Sequence, residues 1–291
     1  MYYVLKAVSW FIQFFPLKAL YSIAGFITKI VFLLWKEKSN NVYNNFSVIL
    51  AVKYGRPATD AEIKNIMRRN FENYGKFSVE FLYINKLIKK GALPEMRGRG
   101  IAEFEKAFSY GKGIIIGTLH YSNWDIAGIT ISGHMKGKAE VWAIADDLGG
   151  GYNRFIQETR KAYGINIVLP NRNLKDAYRC LQNNGILNVL VDRPVARSDK
   201  TGVEVDFFGK KIFVATAAAR IAIKTGAKII VGGAPREGDW FYGDPGPILQ
   251  YSLTGDYEKD ILTVTQAIMK EAERIILEHP EDWYMFRPMF K

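Results

Sequence analysis

The chain is expected to be an α/β protein with a mixed, mostly parallel sheet flanked by helices and an N-terminal membrane-anchoring helical segment. Three observations carry this. From residue 100 onward, short β-branched runs alternate with helical stretches, the signature of strand–helix–strand units. Before that, residues 1–35 are almost continuously apolar. Between the two, positive charge is concentrated: residues 1–99 hold 16 basic and 6 acidic side chains, +10 of the net +11, so 100–291 share only +1.

Residues 1–15 and 17–35 are separated by Pro16. The run Leu17–Trp35 spans about 28 Å as a helix, close to the thickness of a bilayer's hydrocarbon core. Lys18 sits at its start and Lys29 inside it. A lysine there costs on the order of 3 kcal/mol unless its stem snorkels to the interface. Tyr2, Tyr3, Trp10, Tyr21 and Trp35 suit interfacial anchoring. No small-residue cleavage site follows, which disfavours a cleaved signal peptide. Residues 1–38 are therefore assigned as a hydrophobic anchor, a single span or a broken hairpin within one leaflet; a pair of buried core helices is the competing assignment.

Residues 39–99 form a basic amphipathic helical region. Thr59 and Glu62 make a capping box, and Ile63, Ile66, Met67, Phe71, Tyr74, Phe77, Phe81 and Ile84 recur at helical spacing. Lys64, Arg68, Arg69 and Lys76 lie on the polar face, fit for solvent, for anionic lipid headgroups or for an acidic partner. No nucleic-acid-binding motif accompanies the charge.

An α/β region carrying the chemistry is expected over 100–291, and 39–291 is expected to fold as one compact domain. Strands are expected at 114–119, 141–145, 165–169, 186–191, 203–208 and 228–231. Helices are expected at 101–110, 152–163, 174–183, 213–225 and 256–278. In such sheets chemistry gathers beyond the carboxyl ends of strands. There, His120 follows the first strand and Asp125 stands five residues on. With a helix starting near Ser122, Asp125 in its first turn would turn back to hold the imidazole as a general base. Ser122 and Asp125 also fit a capping box, which would make Asp125 purely structural. A single cysteine, Cys180, excludes an internal disulfide framework, and no ligand spacing indicates a metal. No Gly-x-Ser-x-Gly nucleophile elbow is present.

His120-x4-Asp125 after an apolar strand resembles the signature of glycerolipid and lipid A acyltransferases. The order of motifs is most similar to the late acyltransferases of lipid A biosynthesis, a family that includes phosphatidylinositol mannoside acyltransferases. It runs through Asn44-Asn45-Phe46, Arg99-Gly100, Gly111–Gly113, His120–Gly128, Arg160 before Gly164, Val191-Asp192-Arg193, Phe207-Phe208-Gly209, Ala215–Ala219, Thr225–Ala227 and His279–Tyr284.

The resemblance implies a glycerolipid acyltransferase-like fold on a bacterial inner membrane, its catalytic region facing the cytoplasm. It implies O-acyl transfer from an acyl carrier protein or coenzyme A thioester to a lipid A precursor or related glycolipid, with neither cofactor nor metal. His120 and Asp125 would be catalytic, Arg160 and Arg193 would bind oxyanion or acceptor phosphate, and Asp192 and Asn123 would be polar groups at the site's edge. Two departures bear on the acceptor: Asp125 where lipid A enzymes usually carry Glu, and Asp192-Arg193-Pro194 where Asp-Gln-Asp is common. The alternatives are a lysophospholipid or glycerol-phosphate acyltransferase and, in another class, a non-catalytic protein that binds anionic lipid.

Overall fold

The computed structural model describes residues 1–89, 100–145, 149–169, 174–238 and 240–290. Arg99, one of the quoted motif residues, lies outside them. Four helices lead: α1 (Tyr2–Ile12), α2 (Leu17–Leu34), α3 (Lys36–Tyr54) and α4 (Asp60–Lys89). The break between α1 and α2 falls at Pro16, which has no N–H to donate. The Thr59–Glu62 capping box opens α4: the Thr59 N–H donates to Glu62 Oε2 (2.7 Å), and the Glu62 N–H donates to Thr59 Oγ1 (3.3 Å). The apolar periodicity that follows belongs to one 30-residue helix.

Next come α5 (Gly100–Ser109), β1 (Ile114–Thr118), α6 (Trp124–His134), β2 (Val141–Ile144), α7 (Gly150–Ala162), β3 (Ile165–Val168), α8 (Lys175–Gln182) and β4 (Ile186–Leu190). A hairpin of β5 (Gly202–Phe207) and β6 (Lys210–Ala215) precedes α9 (Ala217–Thr225) and β7 (Lys228–Gly233). The chain then forms a small ribbon, β8 (Arg236–Glu237) and β9 (Trp240–Phe241), followed by β10 (Asp244–Ile248), α10 (Tyr257–Glu278) and a 3-10 turn at Pro280–Asp282.

The main sheet has the order β10-β7-β1-β4-β2-β3, parallel throughout except for β10 against β7. Along β1 the side chains alternate between two cores. Ile115 joins the one built with α3, α8, α9 and α10, while Ile114 and Ile116 join the other, with α5 and α6. Both faces of the sheet are covered, which is why its strands read as continuous apolar runs.

One expected element is corrected. Residues 213–215 end strand β6, and the helix begins only at Ala217. Phe208 and Gly209, both with positive φ, form a two-residue turn between the paired Phe207 and Lys210, and this turn closes the β5–β6 hairpin.

The anchor segment packs on the body. α2 runs antiparallel along α4: the Tyr83 hydroxyl donates to the Phe15 carbonyl, the Tyr21 hydroxyl to Glu80, and Phe32 meets Phe71 edge-on. Gly75 permits this approach, since a Cβ there would sit 2.8 Å from Thr28 Cγ2. The outward faces of α1 and α2 stay bare, with Trp10, Phe11, Phe14, Ile23, Phe26 and Leu33 exposed. Among the described residues α2 is the one helix long and apolar enough to cross a membrane, by length and composition.

Candidate active site

β1 and β4 are parallel neighbours with Thr118 opposite Leu190, so two residues further on His120 stands level with Asp192. Asp192 is wholly buried, and its carboxylate accepts three hydrogen bonds of 2.8 Å. They come from the His120 backbone N–H, His120 Nδ1 and the Trp283 indole Nε1. A carboxylate only accepts, so Nδ1 carries the proton and Nε2 is left with its lone pair. The His120 side chain is 31% exposed, so one edge of the ring reaches solvent.

Burial alone would lower the His120 pKa, but the charge and hydrogen bond of Asp192 outweigh it and hold the imidazole above its ordinary value. Arg287 and Arg193 lie close enough to oppose that rise. Burial would raise the Asp192 carboxyl, yet His120, Trp283 and the backbone donor bring it below the usual carboxylate range.

The expected partnership of His120 with Asp125 is corrected. Ser122 takes a left-handed φ of 47°, which delays the helix, so α6 starts at Trp124 with Asn123 as its cap. The Asn123 side chain accepts from the Ile126 N–H (3.1 Å), the capping role anticipated for Ser122. Asp125 then meets α7, where Arg160 Nε donates to its Oδ1 at 2.6 Å. Both side chains of that pair are largely buried. Arg160 is therefore occupied, at least through Nε, by the residue expected to serve His120. Arg193 follows Asp192 directly, half-buried near the imidazole.

Sequence reasoning missed the contribution of the C-terminal segment. Trp283 holds Asp192, Tyr121 pairs with Trp283 in an isolated β-bridge, and the Tyr284 N–H donates to the His120 carbonyl (2.7 Å). Asn45 on α3 fastens this segment, donating to the carbonyls of Met285 and Arg287 and accepting from the Met289 N–H. The signal was present: a buried indole N–H needs an acceptor, and Asn45 interrupts the apolar face of its helix.

Next to the residues that flank His120 lies a narrow apolar slot, partly open to solvent, with about 30 Å³ of free volume. Leu119, Tyr121 and Trp124, chain neighbours of His120, line it together with Ile116, Phe104 and Ile131. Its lining is overwhelmingly apolar. Trp124 stacks on Phe77 of α4 (4.3 Å between centroids) and meets the His120 ring edge-on at 5.4 Å. A base with a fixed tautomer next to an apolar slot can take a proton from a hydroxyl while an aliphatic chain lies alongside.

A parallel sheet with such a site at its carboxyl end fits enzymes that act on acyl chains, and the comparisons agree. The whole chain, residues 1–291, matches the model of the bacterial lipid A biosynthesis acyltransferase family, and the protein belongs to that family. It is similar to the phosphatidylinositol mannoside acyltransferase of Mycobacterium tuberculosis (strain ATCC 25618 / H37Rv), at 26% identity over 236 residues, 77% of this chain and 70% of the relative. The phosphatidylinositol mannoside acyltransferase of Mycolicibacterium smegmatis (strain ATCC 700084 / mc(2)155) is 24% identical over 247 residues, 83% and 77% of the two chains. The protein is thus an acyltransferase, and the non-catalytic alternative falls away.

Proposed function

We propose that the protein transfers a fatty acyl chain from a thioester, on acyl carrier protein or coenzyme A, to a hydroxyl of a membrane glycolipid. His120 is the general base and Asp192 its orienting partner. The observation that carries this is the buried Asp192 carboxylate on His120 Nδ1, which frees Nε2 of a ring that meets Trp124, one of the residues lining the apolar slot.

The acceptor hydroxyl gives its proton to Nε2 as its oxygen attacks the thioester carbonyl carbon. The tetrahedral intermediate collapses with cleavage of the C–S bond, and the departing sulfur takes the proton back from the imidazolium. An ester and a thiol result. Backbone N–H groups in the first turn of α6, at the positive end of its dipole, suit the oxyanion. Arg193 and Arg287 supply positive charge beside the dyad for a phosphate of donor or acceptor. Asp125 and Arg160 brace α6 against α7.

Membrane attachment through α1 and α2, from the cytoplasmic side of a bacterial inner membrane, belongs to the same proposal. The full-length packing of α2 on the charged helix α4 supports helices lying in the plane of one leaflet. The decisive experiment offers the full chain, in lipid micelles, a labelled acyl thioester with a mannosylated phosphoinositide, a lipid A precursor or a lysophospholipid. Ester and free thiol should appear one for one with a glycolipid acceptor. His120→Ala should lose about 10²-fold or more of the rate. Full activity in His120→Ala would overturn the mechanism, and transfer to the lysophospholipid alone would overturn the acceptor class.

A further inference from the structure

We propose that Glu80 is a positioning residue that ties the seating of α2 to the turn carrying His120; this rests on the acyl-transfer reading above. Glu80 sits on the apolar stripe of α4, three residues after Phe77 and four before Ile84, and is fully buried. Its Oε1 accepts from the Tyr21 hydroxyl of α2 (2.7 Å), and its Oε2 accepts from Asn123 Nδ2 (2.8 Å). Arg236 Nη2 reaches both oxygens, at 2.8 and 2.9 Å. A carboxylate is buried at such cost only when every lone pair has work, and a buried ion pair is better suited to fixing a register than to adding stability.

The register fixed here is that of the catalytic turn. Asn123 is held at both ends of its amide: Nδ2 on Glu80 and Oδ1 on the Ile126 N–H. On the other side, the Arg236 N–H donates to Asp282 Oδ2, and the Asp282 carbonyl accepts from the Ser122 N–H. Residues 122 and 123 are thus fastened to a hub whose α2 contact is Tyr21. Lifting α2 off α4 takes the Tyr21 hydroxyl from Glu80 and slackens Asn123, so the start of α6 registers whether the apolar helix is seated.

The test is a double-mutant cycle on the full chain in lipid micelles, using Tyr21→Phe, Asn123→Ser and their combination. Serine still caps a helix but is too short to reach Glu80. Each variant is measured for kcat, KM, thermal midpoint and hydrogen exchange of the amides at 122–128. Tyr21→Phe should lower kcat about 3- to 10-fold with KM nearly unchanged, as befits one buried hydrogen bond. It should also speed exchange at the start of α6, and the double variant should lose less than the product of the single effects. Unchanged exchange at 122–128 in Tyr21→Phe would overturn the inference, as would strictly multiplicative losses. If the wild type transfers no acyl group, the functional reading fails, while the exchange measurement still decides the coupling.

Discussion

Asp192→Asn separates the two carboxylates that compete for the role of partner to His120. Asn keeps an oxygen for the Trp283 indole and the His120 N–H, both of which donate to Oδ2 in the wild type. In place of Oδ1 it turns an NH2 group towards Nδ1, 2.8 Å away. Two donors cannot face each other, so the imidazole moves its proton to Nε2, where a base must be empty. The fold survives with its cavity filled, and the base is lost. General-base catalysis supplies about 10²–10⁴-fold, so kcat should fall within that range, or roughly 3–5 kcal/mol of barrier.

The sign of the pH effect is also set. Asp192 holds the His120 pKa above its ordinary value, and in the proposed role as general base only the neutral imidazole would act. The wild-type acid limb therefore lies above about pH 6.5, with activity rising through it, and in Asp192→Asn the residual activity should have its limb at lower pH. Asp125→Asn leaves Arg160 buried without its carboxylate. It should destabilise the fold by about 3–5 kcal/mol without moving the limb. Acyl transfer measured across pH beside thermal unfolding gives both readings. If Asp192→Asn keeps more than a tenth of kcat, or Asp125→Asn is the variant whose limb moves, the assignment is refuted.

Trp283→Phe keeps an aromatic ring but removes the indole donor from Asp192, and a hydrogen bond to a charged group is worth about 1.5–3 kcal/mol. Its kcat should fall about tenfold or more, and an undiminished rate would free Asp192 from dependence on the C-terminal segment. Ala127→Leu adds a branched side chain to the apolar cleft, so competition between long and short acyl thioesters should shift towards the short; unchanged selectivity would place the chain elsewhere. Asp282 has its carboxyl pushed up to about 6, chiefly by burial, so the folded state holds a proton that the unfolded chain has released. That contribution is full below about pH 4 and is lost as pH rises through 6. Relative to Asp282→Asn, the wild type should lose up to roughly 3 kcal/mol across that window in denaturant titrations, and a flat difference would contradict the shift.

The strand–helix alternation after residue 100 was legible because both faces of the sheet are covered and periodicity reports burial. His120 was legible too, as a histidine just past a buried strand. Asp192 was legible only as a polar group at the site's edge; its pairing with His120 was not, because it depends on β4 lying beside β1 in a sheet ordered β10-β7-β1-β4-β2-β3, and local sequence does not encode strand order. Asp125 is near in sequence but turned aside by the left-handed φ of Ser122, a conformation that serine does not announce. Residues 213–215, the end of the strand at 210–215, read as helix because Phe213, Val214 and Ala215 run without a break into a small-residue stretch. Glu80 was within reach: an acid on an otherwise apolar stripe at helical spacing must be either misplaced or paired.

The charge asymmetry of the leading third gains a mechanical sense from the packing of α2. Were α2 to span the bilayer, α4 beside it would carry Arg68, Arg69, Glu72 and Lys76 towards the hydrocarbon, at roughly 3 kcal/mol for each charge near the centre. On the proposed in-plane attachment, the same helices would keep those groups at headgroup level, where each basic residue would gain about 1 kcal/mol from anionic lipid. Some of the charge is spent internally, in Lys64–Asp60, Arg68–Glu72 and Arg69–Glu281, all of them exposed enough for lipid phosphate to compete. On the other side of α4, Phe77 stacks on Trp124 at the mouth of the cleft. Packed helix axes lie about 8–10 Å apart, so an in-plane α2 would be separated by one helix, α4, from the Trp124 that lines the apolar slot. On the proposed reading, a lipid acceptor would lift little more than its headgroup towards Nε2 while its own chains stayed in the membrane.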